Sequence, residues 1–393
     1  MRILLINDIA RYGNGGGNRV VVETLEGLHA RGHTVGCIFH SGTAELSPGI
    51  WTRHVDDRQP QETVRRAMLD AIAEFQPDFI QSHSTQVLES YRDWAPRYPT
   101  AQFAHDESWF CAGGNRVDRS LTHCHRAHGI ACLALNYAIG CGGKSPVGNL
   151  KRWLRVGERI QVGHAQKIEF QVASNFMRQG FLENGFPPER IEVIPLYASA
   201  PTVASATEPG LIVAPARLFF HKGIAVLLEA LHTVKDTPWR LVVPGNGPEK
   251  PHLEALAQRL GVADRLLLPG ELHPDDVARW YARSQLVAFP VLRAEPFGLV
   301  GVEALAHGKP IVAFAGGAVD EWLWPGETGL KVDEKSPAAL GRALRELLMD
   351  PQRCDAMGRA AQIRYKQFTL DAYLDRLLRH FEQIREQFSA TRS

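Results

Sequence analysis

Glu295 and Glu303 stand with seven residues between them in the stretch RAEPFGLVGVEALAHGKPIVAF, residues 293–314. An apolar helical pattern begins just after the first, with Pro296 and Gly298 shaping the turn and Glu303 set about two turns in. The start of a helix offers unpaired backbone N–H groups and the positive end of the helix dipole, a ready seat for a pyrophosphate. Glu303 would then reach sideways to ribose or sugar hydroxyls, since each carboxylate oxygen accepts a hydrogen bond. Glu295 would face whatever is attached beyond the phosphates. A surface helix with a dipole-stabilised carboxylate at its start uses the same residues, so the rest of the chain must decide.

Arg217 and Lys222, five positions apart in PARLFFHKGIAVLLEAL, follow a β-branched run and precede a helical pattern opening at Gly223. In such a strand-to-helix loop they can grip two phosphates, one as a planar fork and one as a point charge. A leaving diphosphate gains negative charge as its bond to a sugar stretches, so preplaced cations favour the transition state over the ground state. Surface salt bridges are the plainer use of both. His105 and Asp106 follow the run AQFA, at the strand end where ligands enter open α/β sheets. His105 can hydrogen-bond a sugar hydroxyl or a phosphate there, although a lone histidine after a strand is more often structural. Early in the chain, Gly13, Gly15, Gly16 and Gly17 lie between a strand run and a helix pattern. Asn18 stands where a dinucleotide fingerprint needs its third glycine, which disfavours a nicotinamide site. What remains is a loop over which backbone can approach a ligand closely. GGKS at 142–145 lacks the earlier glycine of a phosphate loop and is rejected.

The elements that position these residues alternate short β-branched runs with longer helical patterns, which predicts α/β architecture with parallel sheets, built twice. The first half has strands over 2–7, 34–39, 78–82, 101–104 and 168–173. The second restarts with LIVAPARL at 211 and continues with runs at 239, 265, 286 and 310. Between them, YASAPTVASATEPG (197–210) has the composition of a linker. We therefore expect an N-terminal domain over 1–197, with a cysteine-rich insertion over 107–145, and a C-terminal domain over 198–369. A closing helix over 370–393 is expected to cross back to the first domain. The 393 residues, 45% of them hydrophobic, are enough for two full cores. Lys and Arg number 44 against 43 Asp and Glu, so a net charge of +1 gives no reason to expect nucleic acid. The N-terminal apolar run stops at Asn7 and Asp8, too soon for a secretory signal, which points to the cytoplasm.

In this order the motifs resemble family 4 of the retaining glycosyltransferases, which have the GT-B fold of two Rossmann-like domains facing a central cleft. The likeness runs over nearly the whole chain: GNGGGN with GLHARGHTV, the HD pair at 105–106, ASNFMRQGFLENGFPPERIEVIP from 173, ARLFFHKG, VVPGNGP, the Glu295 and Glu303 motif, and AGGAVDEW at 315–322. The resemblance implies that Arg217 and Lys222 bind the donor diphosphate and Glu303 its ribose. It implies that Glu295 contacts the transferred sugar, and that the backbone of Phe297, Gly298 and Leu299 contacts the phosphates. His105 would sit by the sugar, with Gly16 and Gly17 facing it. It further implies a UDP- or GDP-sugar donor, a glycan, lipid-linked or small-molecule acceptor, and front-face displacement that needs no metal. Two departures stand out: Leu196, Tyr197 and Ala198 where many relatives have Asn-Gly, and Ala216 before the phosphate arginine. A GT-B nucleotide-sugar epimerase and a non-catalytic nucleotide-sugar-binding subunit are the competing readings.

Four of the six cysteines, Cys111, Cys124, Cys132 and Cys141, fall in the insertion after His105. Their gaps are not the paired CxxC spacing of zinc sites, yet a loop can bring four thiolates to a structural zinc or iron–sulfur centre. Free buried thiols are the alternative. The stretch 144–167 joins Lys151, Arg152, Arg155 and Arg159 to Leu150, Trp153 and Leu154, a pattern for peripheral contact with the inner face of a membrane or for a helix docked on a core.

Overall fold

The computed structural model describes residues 1–12, 16–84, 88–138, 140–141, 143, 145–199 and 205–391. Gly13 and Gly15 of the early glycine loop, and residues 200–204 of the expected linker, lie outside the described residues. The chain forms two compact units. The first takes Met1–Ser120, Cys124–Leu196 and Leu370–Ser393, the second Leu121–His123 and Tyr197–Thr369.

Unit 1 is built on seven parallel strands: β1 (Arg2–Ile9), β2 (Thr34–Ser41), β3 (Trp51–His54), β4 (Phe79–Ser82), β5 (Thr100–Ala104), β6 (Glu169–Val172) and β7 (Ile191–Val193). Their spatial order is β3-β2-β1-β4-β5-β6-β7. The order reverses between β1 and β4, and the carboxyl ends of strands beside such a switch are where an open sheet offers a crevice. Fully buried Leu4, Ile6, Ile38, Ile80 and Phe170 make the sheet's core, as expected of strands covered on both faces. The closing helix Leu370–Ala390 belongs to this unit. Its Leu374 packs where Gly27 has no side chain, and a Cβ there would stand 2.6 Å from Leu374 Cδ1. Phe381 stacks on Phe79 at 4.0 Å. Arg31 also donates to Asp371 and Asp375 at 2.8 and 2.6 Å.

Unit 2 holds β8 (Leu211–Val213), β9 (Arg240–Pro244), β10 (Leu266–Gly270), β11 (Leu286–Phe289), β12 (Ile311–Phe314) and β13 (Gly329–Val332), ordered β10-β9-β8-β11-β12-β13 and all parallel. Here the switch lies between β8 and β11. Leu227, Leu231, Leu241, Leu286 and Leu340 form its core. The α/β reading with two parallel sheets is therefore what the chain adopts.

The sequence misses three strands: β3, β7 and β13. Each is the edge of its sheet, paired on one side only. An edge strand needs no continuous apolar run, and three of the four β3 residues are exposed. In the insertion over 107–145, regular structure among the described residues is a single turn, Glu107–Trp109, and the helix Ala131–Ala138.

Candidate functional site

In unit 2 the loops after β8 and β11 meet at the switch point because their backbones touch. Gly223 has φ +72°, and a Cβ there would lie 1.9 Å from the carbonyl oxygen of Pro290. Leu292 N also donates to His221 O at 2.9 Å. This contact brings Lys222 to Glu295, and Lys222 Nζ donates to both carboxylate oxygens at 3.1 and 3.0 Å. The pair is largely enclosed, with side chains 14% and 15% exposed. Glu295 is held from the other side by Gly317 (φ +65°), where a Cβ would stand 2.2 Å from the Glu295 carbonyl oxygen, and by Ala318 N, which donates to that oxygen at 2.9 Å.

The loop carrying Arg217 is set in a similar way. Gly245 and Gly247, in VVPGNGP, have positive φ, and Cβ atoms there would meet Ala216 O at 2.0 Å and Leu218 O at 2.4 Å. Arg217 is exposed, its guanidinium 5.7 Å from the Phe219 ring centroid, and it makes no hydrogen bond or ion pair among the described residues. Ala216, where the resemblance leads one to expect glycine, donates its N–H to Pro244 O at 3.0 Å without disturbing this arrangement.

The helix after Glu295 runs Leu299–Ala306, with Gly298 (φ +93°) at its start and no side chain capping it. Glu303 thus lies one turn inside the helix rather than two, because the turn at Pro296–Gly298 uses up the intervening residues. Phe297 is buried and only its backbone is available; its carbonyl accepts from Trp322 Nε1 at 2.6 Å. A Cβ on Gly301 would stand 2.3 Å from Trp322 Cδ2, so the absence of a side chain there lets the helix pack against the indole. Glu303 Oε2 accepts from Tyr281 Oη at 2.8 Å, and the Tyr281 ring stacks on His307.

Sequence reasoning missed Arg293, His221, Lys335 and Tyr281, all beside this site. Burial lowers the Lys222 ammonium against the opposing pull of Glu295. His221 is pushed down to about 4, first by burial and then by Arg293 and Lys222. Arg217 acts on the same ring in the same direction. Three cations against one carboxylate leave an excess of two positive charges around this imidazole. Lys335 Nζ donates to Leu292 O at 2.6 Å, adding a further cation next to Gly316. Such a cluster suits a small polyanion.

In unit 1 the carboxyl ends of β1, β4 and β5 enclose a cavity of about 230 Å³, lined by Asn7, Asp8, Gly17, His83, His105 and Asp106 among others. It stands at the switch point of the first sheet. His105 lies here, hydrogen-bonded through Nε2 to His83 Nδ1 at 2.8 Å, and burial pushes it down to about 4, so the ring is neutral at neutral pH. A Cβ on Gly17 would only touch the ring, 3.6 Å from Nδ1; what the glycine leaves is space above the imidazole. Gly16 opens the helix Gly16–Ala30 beside it. Asp106 turns away to cap the next turn, accepting from Ser108 N at 2.9 Å. Sequence reasoning missed His83, which carries no motif of its own.

The four clustered cysteines are free thiols. Burial raises the Cys141 thiol, and Cys111, Cys124 and Cys132 raise it further. Burial raises the Cys111 thiol, while the nearby backbone of Arg116, Gly113 and Gly114 works in the opposite direction. As placed here, no three His, Cys, Asp or Glu side chains among the described residues are arranged to hold a metal ion. The helix Pro146–Ala165 exposes Val147, Leu150 and Leu154 next to Lys151 and Arg155. No helix among the described residues is long and apolar enough to cross a membrane.

Two doubly wound parallel sheets, each with polar side chains gathered at its switch point, define a two-domain α/β protein of the GT-B kind. The chain belongs to the family 4 glycosyltransferases: the family model described as Glycosyltransferase Family 4 matches residues 14–196, and that of Glycosyl transferases group 1 matches residues 200–364. It is 32% identical to the D-inositol 3-phosphate glycosyltransferase of Streptomyces avermitilis, over 94% of this chain and 85% of that one. It is 25% identical to D-inositol 3-phosphate glycosyltransferase 1 of Catenulispora acidiphila, over 95% and 93%. Among solved structures it resembles Anabaena HepE in complex with UDP (TM-score 0.73, 17% identity, 98% of this chain and 100% of that one). It also resembles the sucrose-phosphate synthase of Thermosynechococcus elongatus (TM-score 0.71, 20% identity, 99% of each).

Proposed function

We propose that this glycosyltransferase moves a hexose, with retention of anomeric configuration, from a nucleoside diphosphate sugar to a sugar, lipid-linked or small-molecule acceptor. The observation that carries the reading is the enclosed Lys222–Glu295 pair at the switch point of unit 2, set among an excess of cations. A diphosphate brings about the two negative charges that this excess lacks. Arg217, without a hydrogen bond or ion pair among the described residues, and Lys222 take the phosphates, joined by the backbone of Phe297, Gly298 and Leu299 at the uncapped helix start. Glu303, oriented by Tyr281, takes the ribose. Glu295, relieved of Lys222 when the diphosphate arrives, supports the positive charge that grows on the sugar ring. His105 contacts a hydroxyl of that sugar, with Gly16 and Gly17 leaving room above it.

As the bond from C1 to the phosphate oxygen breaks, the acceptor oxygen bonds C1 on the same face, and its proton passes to the departing phosphate oxygen. Side-chain cations and helix N–H groups supply the charge stabilisation at the diphosphate, so the step calls for no metal there. A UDP donor is the first to try, because HepE is described with UDP and with UDP-glucose. The test is nucleotide release from UDP-, GDP- and ADP-sugars, with and without candidate acceptors. Acceptor-dependent release is expected. Sugar isomerisation without acceptor would make the chain an epimerase, and tight binding with no release from any donor would make it a binding subunit.

Two further proposals concern the surface of unit 1. Deprotonation of Cys111, Cys124, Cys132 and Cys141 by zinc or an iron–sulfur cluster would draw the four sulfurs together and staple the insertion. The rise of the Cys141 thiol beside Cys111, Cys124 and Cys132 supports this, and less than a tenth of an equivalent of zinc and iron in the purified protein would end it. The exposed leucines and basic residues of Pro146–Ala165 would rest on an anionic lipid surface. Failure to pellet with phosphatidylglycerol vesicles at low salt would end that.

A further inference from the structure

We infer that His83 is a positioning residue that holds His105 in the tautomer with its proton on Nδ1, so that the cavity of unit 1 is met by a hydrogen-bond donor. The His83 ring is clamped: it stacks on Phe103 at 5.4 Å and on His105 at 5.0 Å, and its main-chain N–H is held by Ile6 O at 2.8 Å. Its Nδ1 lies 2.8 Å from His105 Nε2. Two neutral imidazoles at that distance share one proton on the line between them, because two N–H groups collide and two lone pairs repel.

That proton sits on one ring or the other, and the choice fixes both tautomers. His83 is 7% exposed, and its Nε2 is buried with no hydrogen-bond partner among the described residues. If His105 donated, the second proton would stand on His83 Nε2 as an orphaned buried N–H, the rarest of unsatisfied groups. If His83 donates, only a lone pair is left there, and the His105 proton moves to Nδ1. The surroundings of His105 favour the same arrangement. Asp8 and Asp106 line the same cavity and both favour positive charge on this ring, so an N–H directed there is preferred to a lone pair.

The consequence is chemical. An Nδ1–H cannot take a proton, so His105 is not a general base at this nitrogen. It recognises an acceptor oxygen, that of a sugar hydroxyl or a phosphate. Its contact with the transferred sugar rests on the function proposed above, whereas the tautomer does not.

The test is long-range ¹H–¹⁵N correlation of the histidine rings in the full-length protein, with His105 assigned by comparison with His105→Asn. The expected result is a pyrrole-type Nδ1 on His105 in the wild type, and a shift toward the Nε2–H form in His83→Phe. His83→Asn restores the wild-type form, because its side-chain N–H stands where Nδ1–H does. A pyrrole-type Nε2 on wild-type His105 overturns the inference even if no variant folds. So does a tautomer unchanged in a folded His83→Phe. In nucleotide release, kcat/KM should fall about 10-fold in His83→Phe and by less than about 3-fold in His83→Asn, the worth of one hydrogen bond. An Nδ1–H tautomer in the wild type that shifts in His83→Phe while kcat/KM stays unaltered would leave the dyad standing and overturn the sugar contact instead.

Discussion

Replacing Lys222 by methionine separates the two roles that its ammonium holds. The side chain is 14% exposed and its Nζ lies 3.1 and 3.0 Å from the two oxygens of Glu295. At such a separation the gross attraction is about 5 kcal/mol for an effective dielectric constant near 20, most of it offset by desolvation of the two charges. Burial lowering the Lys222 ammonium is the sign of that offset. Methionine fills much of the same volume but leaves the Glu295 carboxylate without its donor, so we expect a loss of about 1–3 kcal/mol in urea unfolding. Glu295→Gln in the same background should recover most of this, since no charge is then stranded, and the cycle should give a coupling of about 1–3 kcal/mol. Catalysis should not recover. A cation withdrawn from the leaving diphosphate costs about 10²–10³ in kcat, and neither methionine nor glutamine replaces it. Initial rates of nucleotide release, measured well below the unfolding midpoint, give the second number. If Lys222→Met lost stability as expected but kept kcat within about threefold, the pair would be structural and the assignment of Lys222 to the diphosphate wrong.

Gly317→Ala should displace the segment bearing Glu295, since φ is +65° and the new Cβ would fall 2.2 Å from the Glu295 carbonyl oxygen; a loss of about 1–3 kcal/mol with a fall in kcat is expected by calorimetry and rate assay. Tyr281→Phe removes the hydroxyl that donates to Glu303 Oε2 and should raise the donor KM about 3–10-fold with little change in kcat. Thermal unfolding should become acid-sensitive between about pH 6.5 and pH 4. His105, His221 and His380 are each held near 4 by burial, so within that window the unfolded chain binds protons that the folded one does not. Enclosed His105 and His380 each contribute at most about 3 kcal/mol of stability above pH 6.5, lost as pH falls toward 4, and half-buried His221 contributes less because solvent screens it. His380→Gln keeps an acceptor for Gln171 Nε2, now 3.0 Å from His380 Nδ1, and should give a shallower decline. An unaltered slope would refute the assignment.

The strands beside the two switch points were legible because they are buried on both faces and read as apolar runs: RILLIN, LIVAPARL and LVAFPV each mark a strand. Three of the four edge strands, β3, β7 and β13, were not, since one-sided pairing asks little of their sequence. Glu295, Arg217 and Lys222 could be found as a spacing within a loop type. Their neighbours could not: Arg293 and Lys335 come to the site through the folding of loops around Gly223 and Gly317, and the contacts that matter there are backbone to backbone. His83 illustrates the same limit. Nothing in QSHST sets it apart, and only the adjacency of β4 and β5 puts its ring against His105.

The anomeric configuration of the product, followed by proton NMR from the first turnover with whichever donor gives acceptor-dependent nucleotide release, tests the central claim most directly. The account predicts that the transferred hexose appears first in the configuration it had in the donor, with stoichiometric nucleoside diphosphate. First appearance of the opposite anomer, or free sugar with no acceptor adduct, would contradict it.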